Sequence, residues 1–392
     1  LPGCSKKSAG GDDDDIIPPA KITDLKITGI GTTAVTLQWT APGDDDTIGT
    51  VVEFDIRRSA APINSSNFSS GTKINDIPST AGPGDFQNLL VMNLVPGTEY
   101  FFAMKTGDEQ LNWSDISNCV AATCLTDQII SFPDTALNRV VRARINKPNG
   151  DLYKSDFDSL QNFTAQNEHI INLNGLREFT NLNYCDLTGN KIEFLVQFQA
   201  LTSLQFLALN SNDIKDIAPL SNLIYLQTLS LSFNPINDLS PLSILVNLTS
   251  LDVNATPARD YSPIGYLTDL ENLYLGSDSL DNIDFMENLT RLKLIYCNGG
   301  TFSDISVLGN LTALEFVIIT SAELNDISPL SALIGVKEFR LNNNNISDIL
   351  PLVNNTGLGS GDIVNLTDNP LSAESINIHI PALQSRGVTV TY

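Results

Sequence analysis

Leu204-Gln-Phe-Leu207-Ala-Leu209-Asn-Ser-Asn212-Asp-Ile214 is the stretch whose reading decides the fold. It returns 22 residues later as Leu226-Gln-Thr-Leu229-Ser-Leu231-Ser-Phe-Asn234-Pro-Ile236. The opening position falls at Leu160, Leu182, Leu204, Leu226, Leu248, Leu270, Leu292, Leu314 and Val336, always 22 apart. A constant period of this length builds a solenoid, in which each unit packs on its neighbours. The third and fifth residues after each opening position are apolar, as in Leu207/Leu209, Leu273/Leu275 and Val317/Ile319. Their alternation puts them on one face of a short strand, so stacked units predict a parallel sheet with that face inward. Cys185 and Cys297 fall at inward positions and read as buried thiols that fill volume.

Farther along the unit come Asp216-Ile217, Asp238-Leu239, Asp304-Ile305, Asp326-Ile327 and Asp348-Ile349, then Pro219-Leu220, Pro241-Leu242, Pro329-Leu330 and Pro351-Leu352. Asp closes a tight turn and Pro stops it from extending into a helix, so the far side should be 3-10 or irregular. A row of calcium sites is the rival reading of these Asp residues. One carboxylate per turn without further oxygen donors argues against it. Asn190, Asn212, Asn234, Asn344 and Asn369 recur where a side chain can satisfy neighbouring loop backbone. Thr256, Asp278, Gly300 and Ala322 interrupt that series. The phrasing Asn-x-Ile-x-Asp-Ile-x-Pro-Leu resembles the leucine-rich repeat family, in its internalin-type, 22-residue class. That resemblance implies a curved α/β solenoid with a parallel sheet over residues 160–371.

The second, fourth and sixth residues after each opening Leu should face away from the core. In early units they are small or polar: Thr228, Ser230, Ser232, Ser250, Asp252, Asn254. Later they become Tyr274, Leu294, Tyr296, Phe316 and Ile318. At a strand spacing of about 4.8 Å these five form one apolar patch, a feature that commonly marks an interaction surface. Burial under a cap or neighbouring domain, or self-association, is the alternative. Tyr184, Phe206 and Phe233 are secondary candidates.

The remaining segments flank this array. Leu1-Pro2-Gly3-Cys4 resembles a bacterial lipobox, which implies a lipid on Cys4 and a membrane anchor. Residues 5–19, with Gly10-Gly11, an Asp run at 12–15 and Pro18-Pro19, read as an acidic tether. The Asp run is a solvated spacer or a surface-export signal. Over residues 20–126, short alternating runs separated by turn clusters read as an all-β sandwich. Leu25/Ile27, Val35/Leu37/Trp39, Val52/Phe54/Ile56, Leu90/Met92/Leu94 and Tyr100/Phe102/Met104 are each assigned to an inward face. Trp39 and Leu94-Val-Pro-Gly-Thr-Glu-Tyr100 resemble the fibronectin type III family, and Tyr100 matches its corner tyrosine. Cys119 and Cys124, an odd number of residues apart, should point to opposite faces as separate thiols. Residues 127–159 hold a helical spacing with Asp134 at its start and Pro148-Asn149-Gly150 at its end, a natural lid for the solenoid. Residues 372–392 read as the C-terminal cap.

A net charge of −23 argues against nucleic-acid binding. No run of about 18 apolar residues codes a transmembrane helix. Two histidines and five dispersed cysteines supply no metal-spaced set, and no phosphate loop or nucleophile elbow occurs. The expectation is a non-enzymatic, cofactor-free recognition or adhesion protein of the bacterial cell envelope, extracytoplasmic and lipid-anchored. Its ligand is expected to be a protein, with glycan as a second class. The competing reading is an accessory carbohydrate-binding or spacer chain of an extracellular glycan-degrading system.

Overall fold

The computed structural model describes residues 16–43, 50–75, 77, 82–110, 112–276 and 279–392. Cys4, the Asp run at 12–15, Asp44 to Asp46, Ala81 and Asp278 lie outside the described residues. The chain divides between Gln128 and Ile129 into two compact units.

The first unit is a two-sheet antiparallel sandwich. Its strands are β1 (Lys26–Ile30), β2 (Val35–Thr40), β3 (Glu53–Ser59), β4 (Thr72–Lys73), β5 (Phe86–Val91), β6 (Glu99–Gly107) and β7 (Val120–Thr123). One sheet runs β1-β2-β5 and the other β4-β3-β6-β7. Val35, Leu37 and Trp39 from the first sheet meet Phe54, Ile56, Phe102 and Met104 from the second. Trp39 and Phe54 stack edge to face with ring centroids 5.4 Å apart. The backbone N–H of Val95 donates to the Tyr100 hydroxyl at 3.2 Å, which pins the corner before β6. Asn118 ties the two ends together: its Oδ1 accepts from Leu25 N–H and its Nδ2 donates to Leu25 C=O.

Three inward assignments in this unit are overturned. Leu90 and Met92 are 55% and 61% exposed, while Leu89 and Val91 are buried. Pairing of β5 with β2 sets Leu89 opposite Leu37 and Val91 opposite Val35, so the odd-numbered residues face the core. Asn93 then adopts a left-handed φ of 59°, which breaks the alternation and lets Leu94 return inward. Val52 is likewise exposed and Val51 is the buried neighbour, because β3 begins at Glu53 and the chain enters it irregularly.

The second unit opens with α1 (Thr135–Arg144), which buries Leu137 and Val141. Asp134 caps it, accepting from Ala136 and Leu137 N–H. The helix stops at Arg144, ahead of Pro148, and Asn146 turns left-handed at φ 55°. Phe132, Phe157, Phe163 and Phe179 pack ring on ring beneath this lid, with centroids 4.7–5.8 Å apart.

Beyond it an 11-stranded parallel sheet runs in sequence order. Its strands are β8 (Asn162–Thr164), β9 (Tyr184–Asp186), β10 (Phe206–Ala208), β11 (Thr228–Ser230), β12 (Ser250–Asp252), β13 (Asn272–Leu275), β14 (Leu294–Asn298), β15 (Phe316–Thr320), β16 (Glu338–Arg340), β17 (Ile363–Asn365) and β18 (Thr389–Thr391). Every opening residue from Leu160 to Val336 is buried, as are both inward positions of each strand from β8 to β17. Burying a Leu contributes roughly 1.5–3 kcal/mol, so the continuous row of such side chains holds neighbouring units together.

The side opposite the sheet is made of 3-10 turns such as Ala218–Leu220, Ser240–Ile244 and Ser328–Ala332, with Pro near the start of each. Asp216, Asp238, Asp260, Asp304, Asp326 and Asp348 each accept the N–H two residues on at 2.8–2.9 Å. The sheet forms one side of the solenoid and these turns the other.

Asn212 shows how the asparagine series works. Its Oδ1 accepts from Ile192 N–H at 3.0 Å, and its Nδ2 donates to the carbonyls of Leu209 and Leu187. Asn234, Asn344 and Asn369 repeat the pattern. At the first interruption Thr256 makes one such bond, from its hydroxyl to Val253 C=O, and Ile236 N–H turns to Asn234 C=O instead.

The last repeat is stretched. The turn there is α2 (Leu350–Asn354), as long as the 3-10 turn Ser328–Ala332 one unit earlier, and the extra residues fall between α2 and β17. The end is closed by α3 (Ile380–Ser385) and by β18, which joins the sheet as its last strand.

Candidate functional site

The outward positions of the repeat sheet form columns, because parallel pairing sets each residue beside its equivalent one unit on. Tyr274 pairs with Tyr296, and Tyr296 with Ile318. In the adjacent column Leu294 pairs with Phe316. All five side chains are half-buried, and their strand neighbours Leu273, Leu275, Ile295, Cys297, Val317 and Ile319 are fully buried. Tyr274 and Tyr296 lie with ring centroids 6.1 Å apart, tilted by 40°. The five candidates are therefore contiguous on the face of β13, β14 and β15 that turns away from the core.

The secondary candidates separate. Tyr184 and Phe206 are cross-strand partners in the same column as Leu294 and Phe316, but four and five units earlier than Leu294 they form a cluster of their own. Their rings stack in parallel at 4.2 Å. Phe233 is not on the sheet face. It sits in the turn after β11 with a left-handed φ of 55° and is 60% exposed. Between the two aromatic groups lie Thr228, Ser230, Ser250 and Asp252, all short and half-buried, so the face dips there.

Charge borders the patch in a pattern the sequence reading did not single out. Just ahead of the strands, Lys293 reaches back one unit to Glu271 at 2.7 Å, and Lys337 reaches back to Glu315. Arg291 bridges Asp269 at 2.7 Å and Glu271 at 3.4 Å. These contacts, hydrogen bonds first, hold the Glu271 and Glu315 carboxyls below their ordinary value. On the far side Glu338 and Arg340 pair with each other directly beside Phe316 and Ile318. Opposite charges 22 residues apart were the available signal. Exposed pairs of this sort contribute little to stability and serve mainly to fix a polar rim.

Asp252 differs from the rim carboxylates. It lies on β12 beside Tyr274 of β13. Desolvation pushes its carboxyl above the ordinary value, partly opposed by hydrogen bonds from Asn254 N–H and the Ser232 hydroxyl. Among the described residues, none of the ion pairs includes it.

Cys185 and Cys297 are fully buried on the inward side. Desolvation drives both thiols up, Cys297 to about 12. Among the described residues there is no group of three or more His, Cys, Asp or Glu side chains placed to hold a metal ion. Among them, too, no helix is long and apolar enough to cross a membrane.

An antiparallel sandwich with a tyrosine corner, followed by 3-10-backed parallel repeats, defines a fibronectin type III domain joined to a leucine-rich repeat solenoid, an architecture of interaction and recognition. Residues 19–120 match the fibronectin type III domain family, and residues 202–243 match the leucine-rich repeats family over two copies. The chain is similar to an internalin of Listeria monocytogenes, at 25% identity and a TM-score of 0.45, covering 67% of this chain and 91% of that one. It is also similar to internalin C2 of the same organism, at 26% identity and a TM-score of 0.47, covering 66% and 94%. Among curated proteins it matches mouse calcium-activated chloride channel regulator 1, at 36% identity over 109 residues. That match spans 26% of this chain and 12% of the relative's length.

Proposed function

We propose that the protein is a surface-anchored recognition or adhesion protein that binds a protein ligand through Tyr274, Leu294, Tyr296, Phe316 and Ile318. The observation that carries this reading is the cross-strand contiguity of these five side chains on a face the fold does not need for its core. An aromatic and aliphatic centre ringed by paired charges has the anatomy of a protein–protein hot spot. The buried core is built from the inward rows without these side chains, which leaves the large apolar groups of the outward columns open to a ligand.

In this proposal the lipid on Cys4 holds the chain in a bacterial envelope membrane, and the fibronectin type III domain acts as a spacer. Tyr184 and Phe206 offer a second, separate contact earlier on the same face, and Phe233 stands off that face in a turn. The test compares wild type with Tyr296→Ala and Phe316→Ala in pull-downs on extracellular protein and in glycan arrays. Loss of a protein ligand with unchanged urea unfolding supports the proposal. Retention by both variants sinks it, and binding confined to the glycan array replaces it with the carbohydrate reading. Mass analysis of Cys4 for acyl groups tests the anchor.

A further inference from the structure

We infer that Asp252, with Tyr274 and Tyr296 beside it, seats a lysine or arginine side chain of the docked protein, flanked in that partner by apolar residues. The inference rests on the reading of the patch as a docking surface and names the partner's chemistry there.

The argument begins with charge. Every cation at the border of the patch is already engaged: Arg291 and Lys293 with Glu271, Lys337 with Glu315, Arg340 with Glu338. Asp252 has no such partner among the described residues, although its strand is next to Tyr274. It is held in place by Asn254 N–H at 3.0 Å, so its side chain is oriented without being neutralised. Burial already disfavours its charged form. A carboxylate in that condition gains more from an incoming cation than one in open water.

Geometry selects a basic side chain over a bare ion. A single carboxylate cannot cage a metal, which needs several oxygen donors. The tyrosine rings supply the second contact, since an ammonium or guanidinium stem lies favourably over an aromatic face. Tyr274 and Tyr296 are tilted against each other one unit apart, so the column reads carboxylate, ring, ring, then Ile318. A partner segment crossing the strands would set its cation at Asp252 and its apolar side chains on Leu294, Phe316 and Ile318. The net charge of −23 favours the approach of such a segment at long range.

The test selects a displayed library of random linear peptides on immobilised full-length chain. Enriched peptides are re-measured on wild type, Asp252→Asn and Tyr296→Ala. The expected result is enrichment of Lys or Arg flanked by apolar residues, with affinity about tenfold weaker on Asp252→Asn. Replacing the peptide's arginine by citrulline on the wild-type chain should give a similar loss, and the two changes together little more. The citrulline arm needs no variant of the protein, so it stands even if Asp252→Asn fails to fold. Peptides that lack a basic residue yet lose affinity on Tyr296→Ala overturn the Asp252 assignment and leave the patch standing. Peptides indifferent to Tyr296→Ala overturn the patch reading as well, as does a selection that enriches nothing.

Discussion

The Asp134 carboxylate accepts the backbone N–H of Ile171 at 2.8 Å, across a separation of 37 residues. The same oxygen takes Asn172 N–H at 3.0 Å, while the other oxygen caps α1 through Ala136 and Leu137. One side chain thus closes the start of the lid helix and fastens that lid to the repeat array below. Burial alone would raise this carboxyl, but the four N–H donors outweigh it and hold it below its ordinary value of 3.8.

Asp134→Ala should cost the repeat unit about 2–3 kcal/mol, the loss of a helix cap together with two charge-assisted bonds to the array. The sign of the pH dependence follows from the lowered carboxyl. Its contribution is complete above the ordinary carboxylate range and is lost as pH falls through the folded value. Urea midpoints of wild type and Asp134→Asn should therefore differ at neutral pH and converge under acid. A gap that stays constant with pH would show that the carboxylate's charge is irrelevant.

Asn212→Ala should be more costly than Thr256→Ala at the equivalent position two units on. The first strands Ile192 N–H in a site where the residue is only 6% exposed. It also removes one of two amide donors from the carbonyls of Leu187 and Leu209, which Asn190 and Asn234 still bond. One unsatisfied buried N–H at about 1–3 kcal/mol, with two further bonds lost at about 0.5–1.5 kcal/mol each, puts the total near 3 kcal/mol. Thr256→Ala removes one hydroxyl bond and a buried methyl, about 1–2 kcal/mol. Denaturant midpoints of the two variants check the order, and equal losses would refute the account of the asparagine series.

Among the described cysteines, Cys119 is exposed and Cys124, Cys185 and Cys297 are buried. The thiolate is the reactive form, and desolvation pushes the Cys297 thiol up to about 12. A thiol reagent at pH 8, applied to chain carrying Cys4→Ser, should label Cys119 within minutes and Cys297 only after unfolding. Labelling of Cys297 in the native protein at a comparable rate would mean that the repeats open far more readily than their packing implies.

The solenoid was legible in the sequence because one spacing fixes it. A period of 22 places Leu160 to Val336 in one buried row, and period two within each unit separates Leu273 from Tyr274 without ambiguity. The patch was legible for the same reason, since equivalent positions in a parallel stack must be neighbours. Phe233 escaped that logic, because the left-handed residue after β11 takes it off the strand. The sandwich was harder. Leu89, Leu90 and Val91 are all apolar, so alternation alone cannot say which face is inward; the pairing with β2 and the left-handed Asn93 decide it. Paired charges such as Glu271 and Lys293 were overlooked because each looks like an ordinary surface residue until the repeat sets them one unit apart.

Gly357 and Gly361 share the stretched repeat and separate two reasons for glycine. A Cβ at Gly357 would fall 1.9 Å from the Ile334 carbonyl oxygen, a backbone atom of the preceding unit. That oxygen cannot swing aside as a side chain would, so the two loops must part. A Cβ at Gly361 would meet nothing within 4 Å, but the residue sits at φ +96°. Alanine there pays only for a disfavoured backbone, about 1–2 kcal/mol. Gly357→Ala should lose about 2–3 kcal/mol, in the range of overpacked sites. The difference should be visible as an earlier urea midpoint for Gly357→Ala, with Gly361→Ala between it and wild type. The reverse order would mean that the units yield at their turns, and that close contact between neighbouring turns does not set the spacing of this end of the array.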